Sequence, residues 1–185
     1  MTDTLPPAAA PAADNIVTSQ HKVIINGQPI AYTVMCGTIV LRNESEDKPT
    51  DNSKPERERA CATLFFMAYL RDDVDGQPID KTKRPLTFSF NGGPGSSSVW
   101  LHLGVLGPRR VQMDEIGNAL PPPYQLIDNE FSLLDVTDLV FIDPVGTGYS
   151  RAVAGEKNKD FHGFGKDIES VGDFIRLYTT RQKRW

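Results

Sequence analysis

The chain has 185 residues, 39% of them hydrophobic and 24% charged, a composition that collapses into one domain of ordinary size instead of staying disordered. Its net charge of -4 offers no basic stripe to a nucleic acid or an anionic membrane, and no run approaches the roughly 18 to 20 apolar residues of a membrane span.

The N-terminus, "MTDTLPPAAAPAADN", has acidic residues, no basic cluster and no apolar stretch, unlike a secretory signal. Its Pro and Ala content predicts a flexible tail over 1–20, followed by a single domain over 21–185. Cys36 and Cys61 are the two cysteines. They make no disulfide framework, which fits a reducing, cytoplasmic compartment, and they read as two buried thiols. "HKVIING" and "IAYTVMCGTIVL" are rich in β-branched residues, and the Asn26-Gly27 turn between them predicts an antiparallel hairpin, 21–25 with 30–41. The charged stretch 42–60 reads as a mobile loop. A third strand follows over 61–70 and a fourth over 86–91.

A Gly-rich turn comes next, "NGGPGSSS" at 91–98, then a short helix over 97–107 that Ser96 or Ser97 would cap and Gly107-Pro108 would stop. "RRVQM" suits a strand and "PPPYQLIDNEFSLLDV" an irregular segment. The apolar strand 138–143 leads into a second Gly-rich turn, "PVGTGYS" at 144–150. From 164 to 181, Phe164, Ile168, Val171, Ile175 and Tyr178 recur at three and four residues and predict an amphipathic helix. An antiparallel meander followed by strand, turn, helix, strand, turn, helix is the order of an α/β fold.

A glycine turn at the carboxyl end of a strand brings bare main-chain N–H groups toward a ligand, and the helix behind it adds its dipole: together they form an anion receptor. A phosphate loop would carry Lys before the Ser, and this turn has none; G-x-G-x-x-G is also missing. The oxyanion of acyl transfer suits the position better. A tight strand-to-helix turn with no ligand is the competing reading.

"NGGPGSSS" followed fifty positions later by "FIDPVGTGYS" resembles the serine carboxypeptidase family of α/β-hydrolases, and within it the cysteine-poor bacterial branch. "VWLHLGVLGPRRV" and "ALPPPYQLIDN" between the motifs are similar too. The resemblance runs from about residue 21 to the end. It implies the N-terminal part of an α/β-hydrolase sheet, acting on peptides with a free C-terminal carboxylate and using no metal or cofactor. By position, Asn91 would hydrogen-bond that carboxylate, the Gly92 N–H would assist, and the Gly93 N–H would be one of two oxyanion donors. Ser96 stands where many family members have Cys.

Such chemistry needs a nucleophile on a G-x-S-x-G elbow, then an acid, then a His. No G-x-S-x-G occurs here. The nearest match, "GYSRA" around Ser150, follows a strand but opens no helix. The expectation is therefore a chain that holds the charge-binding half of a site, inactive alone and prone to aggregate. A peptide-carboxylate binding module and a small esterase using Ser150 are the alternatives. Ser96, Ser97 and Ser98 read as turn and cap residues, His102 as a packed or solvent-facing side chain, and His21 and His162 as unpartnered. Asp143 suits a turn-stabilising role at least as well as a catalytic one.

Overall fold

The computed structural model describes residues 12–44, 58–74, 76–92 and 95–185. Strands β1 (Asn15–Ile25) and β2 (Gln28–Glu44) form a long hairpin. Its two-residue turn places Asn26 and Gly27 at φ 50° and 76°, the left-handed pair whose twist matches the flanking strands. β3 (Glu58–Arg71) pairs antiparallel with β2. Two dipeptide strands, β4 (Asp73–Val74) and β5 (Gln77–Pro78), close a small hairpin before β6 (Leu86–Ser89). Helix α1 (Val99–Leu101) runs on as a wider π-helical turn, His102–Leu106. β7 (Arg109–Val111) pairs with β8 (Leu126–Asp128), and a single 3-10 turn, Leu133–Asp135, leads into β9 (Asp138–Ile142). β10 (Arg151–Ala152) returns to β3, and α2 (Phe164–Gln182) follows a second 3-10 turn.

The main sheet runs β1-β2-β3-β9-β6 and is antiparallel except for the last pair. β9, the most apolar strand, lies between β3 and β6, and all five of its residues are buried. One face of the sheet packs Phe66, Val140 and Ile142 against Phe174 and Tyr178 of α2. The other packs Tyr69, Leu139 and Phe141 against Leu134 and the α1 region. The fold is thus a mixed α/β sheet with few helices. No helix among the described residues is long and apolar enough to cross a membrane.

Three differences from the sequence reading have physical causes. β1 starts at Asn15, so residues 15–20, expected in the tail, pair with 33–38 of β2. Polar alternation hid them, yet a backbone ladder does not require apolar side chains. Asp14 anchors this start, accepting the Val40 N–H at 2.8 Å and pairing with Arg181 at 2.6 Å. The fourth strand stops at Ser89, two residues short of 91. The helix stripe has the expected period, but Phe164 and Ile168 are exposed while Val171 and Tyr178 are buried. Most of the charged stretch 42–60 lies outside the described residues, though its two ends extend β2 and β3.

The entry to β9 is held by a buried carboxylate. Asp138 accepts from Arg84 Nε at 2.8 Å, Arg184 Nη1 at 2.9 Å and the Arg71 N–H at 3.0 Å. Arg184 Nη2 also donates to the Arg84 carbonyl at 2.7 Å. Two guanidinium groups offset the burial of one carboxylate, and the end of α2 is thereby tied to the approach of β6. With their starts fixed together, β6 and β9 deliver both Gly-rich turns to the same edge of the sheet.

Candidate active site

Beyond Ser89 the chain leaves the ladder. Phe90 is partly exposed, Asn91 half-buried and Gly92 exposed. Gly95 has φ +116°, and a Cβ added at Gly92 or Gly95 would meet no atom within 4 Å. The main chain here faces open space. Gly93, the expected oxyanion donor, lies outside the described residues together with Pro94. Asn91 carries a mark that ordinary loop residues lack: its Oδ1 is buried and has no hydrogen-bond partner among the described residues. Buried polar atoms in folded proteins are almost always paired, so this acceptor is left free for a donor.

The second turn is the opposite. Asp143, at the end of β9, is buried, and both carboxylate oxygens are occupied. Oδ1 accepts from the Ser98 N–H at 2.8 Å and the Ser98 hydroxyl at 2.9 Å; Oδ2 accepts from the Tyr149 N–H at 3.3 Å. Gly148 sits at φ +44°, and a Cβ there would fall 1.8 Å from Asp143 Oδ2. Ser150 is fully buried. Its hydroxyl donates to the Asp143 carbonyl at 2.6 Å and accepts the Phe65 N–H at 2.8 Å. It is a brace between β3 and β9. The esterase alternative fails here, because this hydroxyl has no access to a substrate and no base beside it. Asp143 takes the turn-stabilising role.

The serines of the first turn do not cap as expected. Ser98, not Ser96 or Ser97, occupies the N-cap position of α1, and its side chain makes no cap bond because Asp143 takes it. His102 is buried. Its Nε2 lies 2.5 Å from the Tyr69 hydroxyl, and its ring stacks on Phe141 with centroids 4.6 Å apart. Burial pulls its pKa down from 6.5 to about 4, against the opposing pull of Asp143. The far end of this segment is clamped by Asn129, whose Nδ2 donates to the Val105 and Gly107 carbonyls at 2.8 Å each. His21, expected to be unpartnered, is exposed on β1 with its Nε2 2.8 Å from the Ser19 hydroxyl and its ring stacked on Tyr32, and His162 lies under Gly146. Neither approaches the first turn's machinery as a partner of a serine. Cys36 stands opposite Met67 in the sheet, apart from Cys61, and burial raises the pKa of both thiols.

Between the two turns lies a cavity of 540 Å³ lined by Phe65, Met67, Val99, Leu103 and Tyr149, with Ser98, His102 and Asp143 at its polar edge. Tyr69 and Asn129 were not legible as site residues. Tyr69 shows only as one of a strand's alternating positions, and Asn129 as one polar residue in a loop.

The family model described as serine carboxypeptidase matches residues 56–182. Among curated proteins, the pheromone-processing carboxypeptidase KEX1 of Saccharomyces cerevisiae is similar. The protein of strain JAY291 is 36% identical over 148 residues, covering 77% of this chain and 17% of that protein. The protein of strain S288c is 34% identical over the same length. KEX1 of Meyerozyma guilliermondii is 36% identical over 83 residues, 44% of this chain and 11% of that protein. The chain therefore spans about one sixth of the length of the first of these relatives.

Proposed function

Because this chain belongs to the serine carboxypeptidase family, we propose that its first Gly-rich turn is the part of a carboxypeptidase site that binds the free C-terminal carboxylate of a peptide. The Asn91 amide and the Gly92 N–H bind the carboxylate, and the Gly93 N–H is one of two donors to the oxyanion formed when the last peptide bond is attacked. The donors are neutral, which suits an anion that must leave again as product. The observation that carries the reading is the place of Asn91: a side-chain amide just beyond the carboxyl end of β6, beside exposed main chain, whose Nδ2 is the donor that a carboxylate requires.

The nucleophile, its acid and its His are supplied by polypeptide outside these 185 residues, and the mixed sheet is the N-terminal part of an α/β-hydrolase sheet. The lack of any G-x-S-x-G favours one second reading, a module that binds a peptide carboxylate without cleaving it. The nucleotide sequence beyond codon 185 separates the two.

The test is a titration of the 185-residue chain with an N-acyl dipeptide and with its C-terminal amide. The acid form binds about tenfold or more tighter, the effect of one charge-assisted hydrogen bond, and shifts the Asn91 and Gly92 NMR signals. Neither form is hydrolysed, and a fluorophosphonate labels nothing. Equal binding of acid and amide overturns the carboxylate reading. Hydrolysis by the chain itself overturns the division of the site.

A further inference from the structure

The helix that follows the first turn carries no charge, and its inward anchor is a histidine. Residues 99–106 read "VWLHLGVL". The His102 N–H donates to the Ser98 carbonyl at 2.8 Å, three residues past Gly95. Its imidazole reaches the sheet through the Tyr69 hydroxyl and lies flat on Phe141. Tyr69 is itself wedged between Tyr32 and Phe141, with centroids 5.8 Å and 6.0 Å away. A path of direct contacts thus runs from the centre of the sheet through Tyr69 and His102 to Ser98, at the downstream end of the Gly-rich turn.

We infer that His102 is a positioning residue for the Asn91–Gly92 turn, and that its imidazole, through the Tyr69 hydroxyl and the face of Phe141, is what holds the turn's helix to the sheet. The inference rests on the carboxylate-binding reading above. The groups facing the ring are few. β3 presents the Tyr69 hydroxyl, backed by Tyr32 of β2; β9 presents Phe141 and, at its end, Asp143; the second turn presents Tyr149 across the cavity. Burial keeps the Tyr69 phenol protonated far above neutral pH. Asp143 already accepts from Ser98 and Tyr149, and its attraction for an imidazolium is outweighed by the burial of the ring. A proton on His102 must be carried in a mostly apolar pocket. Between about 6.5 and about 4 the released helix takes up a proton that the docked helix refuses. In that interval the docking equilibrium weakens by up to about tenfold for each pH unit lost.

The experiment is an NMR pH titration of the full 185-residue chain from pH 7.5 to 3.5, following the His102 Cε1–H, the Asn91 side-chain amide and the Gly92 N–H. His102 and the Asn91 and Gly92 signals titrate together, with a common midpoint well below 6.5 and no lower than about 4. In His102→Gln, which keeps a hydrogen-bonding side chain but does not titrate, that shift disappears. Tyr69→Phe, which keeps the aromatic packing, moves the same two signals already at pH 7. A His102 that titrates near 6.5, or Asn91 and Gly92 signals indifferent to His102→Gln and Tyr69→Phe alike, overturns the inference. These readouts need no ligand. Failure of the dipeptide to bind at pH 7 sinks the carboxylate reading by itself, whereas binding that ignores pH and His102 sinks only the positioning role.

Discussion

The two Gly-rich turns leave parallel neighbouring strands at the same edge of the sheet, and they use glycine for opposite ends. Around Asn91–Gly92 the main chain faces open space and a buried side-chain oxygen has no partner. Around Asp143–Ser150 the side chains turn inward: Asp143 receives three hydrogen bonds on its carboxylate and a fourth on its carbonyl, and Gly148 is bare because Asp143 fills the space a Cβ would need. Glycine content is therefore a poor guide to binding. The account of which polar groups are already paired separates a turn with an open acceptor among the described residues from one whose acceptors are filled.

The sharpest way to break this contrast is Gly148→Ala. Its Cβ lands on a carboxylate locked by Ser98 and Tyr149, at a positive φ that alanine resists. We expect a loss of more than about 4 kcal/mol in denaturant unfolding, or no folded protein. Next comes acidification. An imidazole with a lowered pKa stays neutral when folded while the unfolded chain binds a proton. Stability therefore falls as pH drops from 6.5 and the fall levels off below about 4, for a total of about 3 kcal/mol. Denaturant midpoints at pH 7, 5.5 and 4 read it, and His102→Gln flattens the profile by that amount. Ser150→Ala leaves the Phe65 N–H and the Asp143 carbonyl without their shared hydroxyl, which costs about 2 kcal/mol in the same assay. Smallest in stability is Asn91→Ala. It removes an unpaired oxygen and moves stability by no more than about 0.5 kcal/mol, while abolishing the preference for a peptide acid over its amide.

The sequence was informative where one local signal decides. The Asn26-Gly27 hairpin, the buried strand at 138 and the period of α2 all lie close to where they were read. It was less informative where a partner far along the chain decides. Residues 15–20 look like tail until β2 pairs with them, and Ser98 looks like a cap until Asp143, 45 positions on, claims its hydroxyl. Phe164 and Ile168 follow the helical period faithfully, yet period alone does not say how far the surface beneath a helix extends. Of the expected site, Asn91 and Gly92 lie beyond the strand end at Ser89, and Gly93 is outside the described residues. The competing roles of Ser150 and Asp143 were settled only by depth and hydrogen-bond geometry.

The Ser98–Asp143 contact also sets a clock. During synthesis the first turn emerges 45 residues before the carboxylate that holds the start of its helix. At roughly 5 to 20 residues per second, that leaves a nascent interval of about 2 to 9 seconds. Through that interval the β1–β2–β3 meander is already available to fold, but the edge of β3 that receives β9 stays open. Whatever shields that edge on the ribosome acts before the first Gly-rich turn is held in place by Asp143.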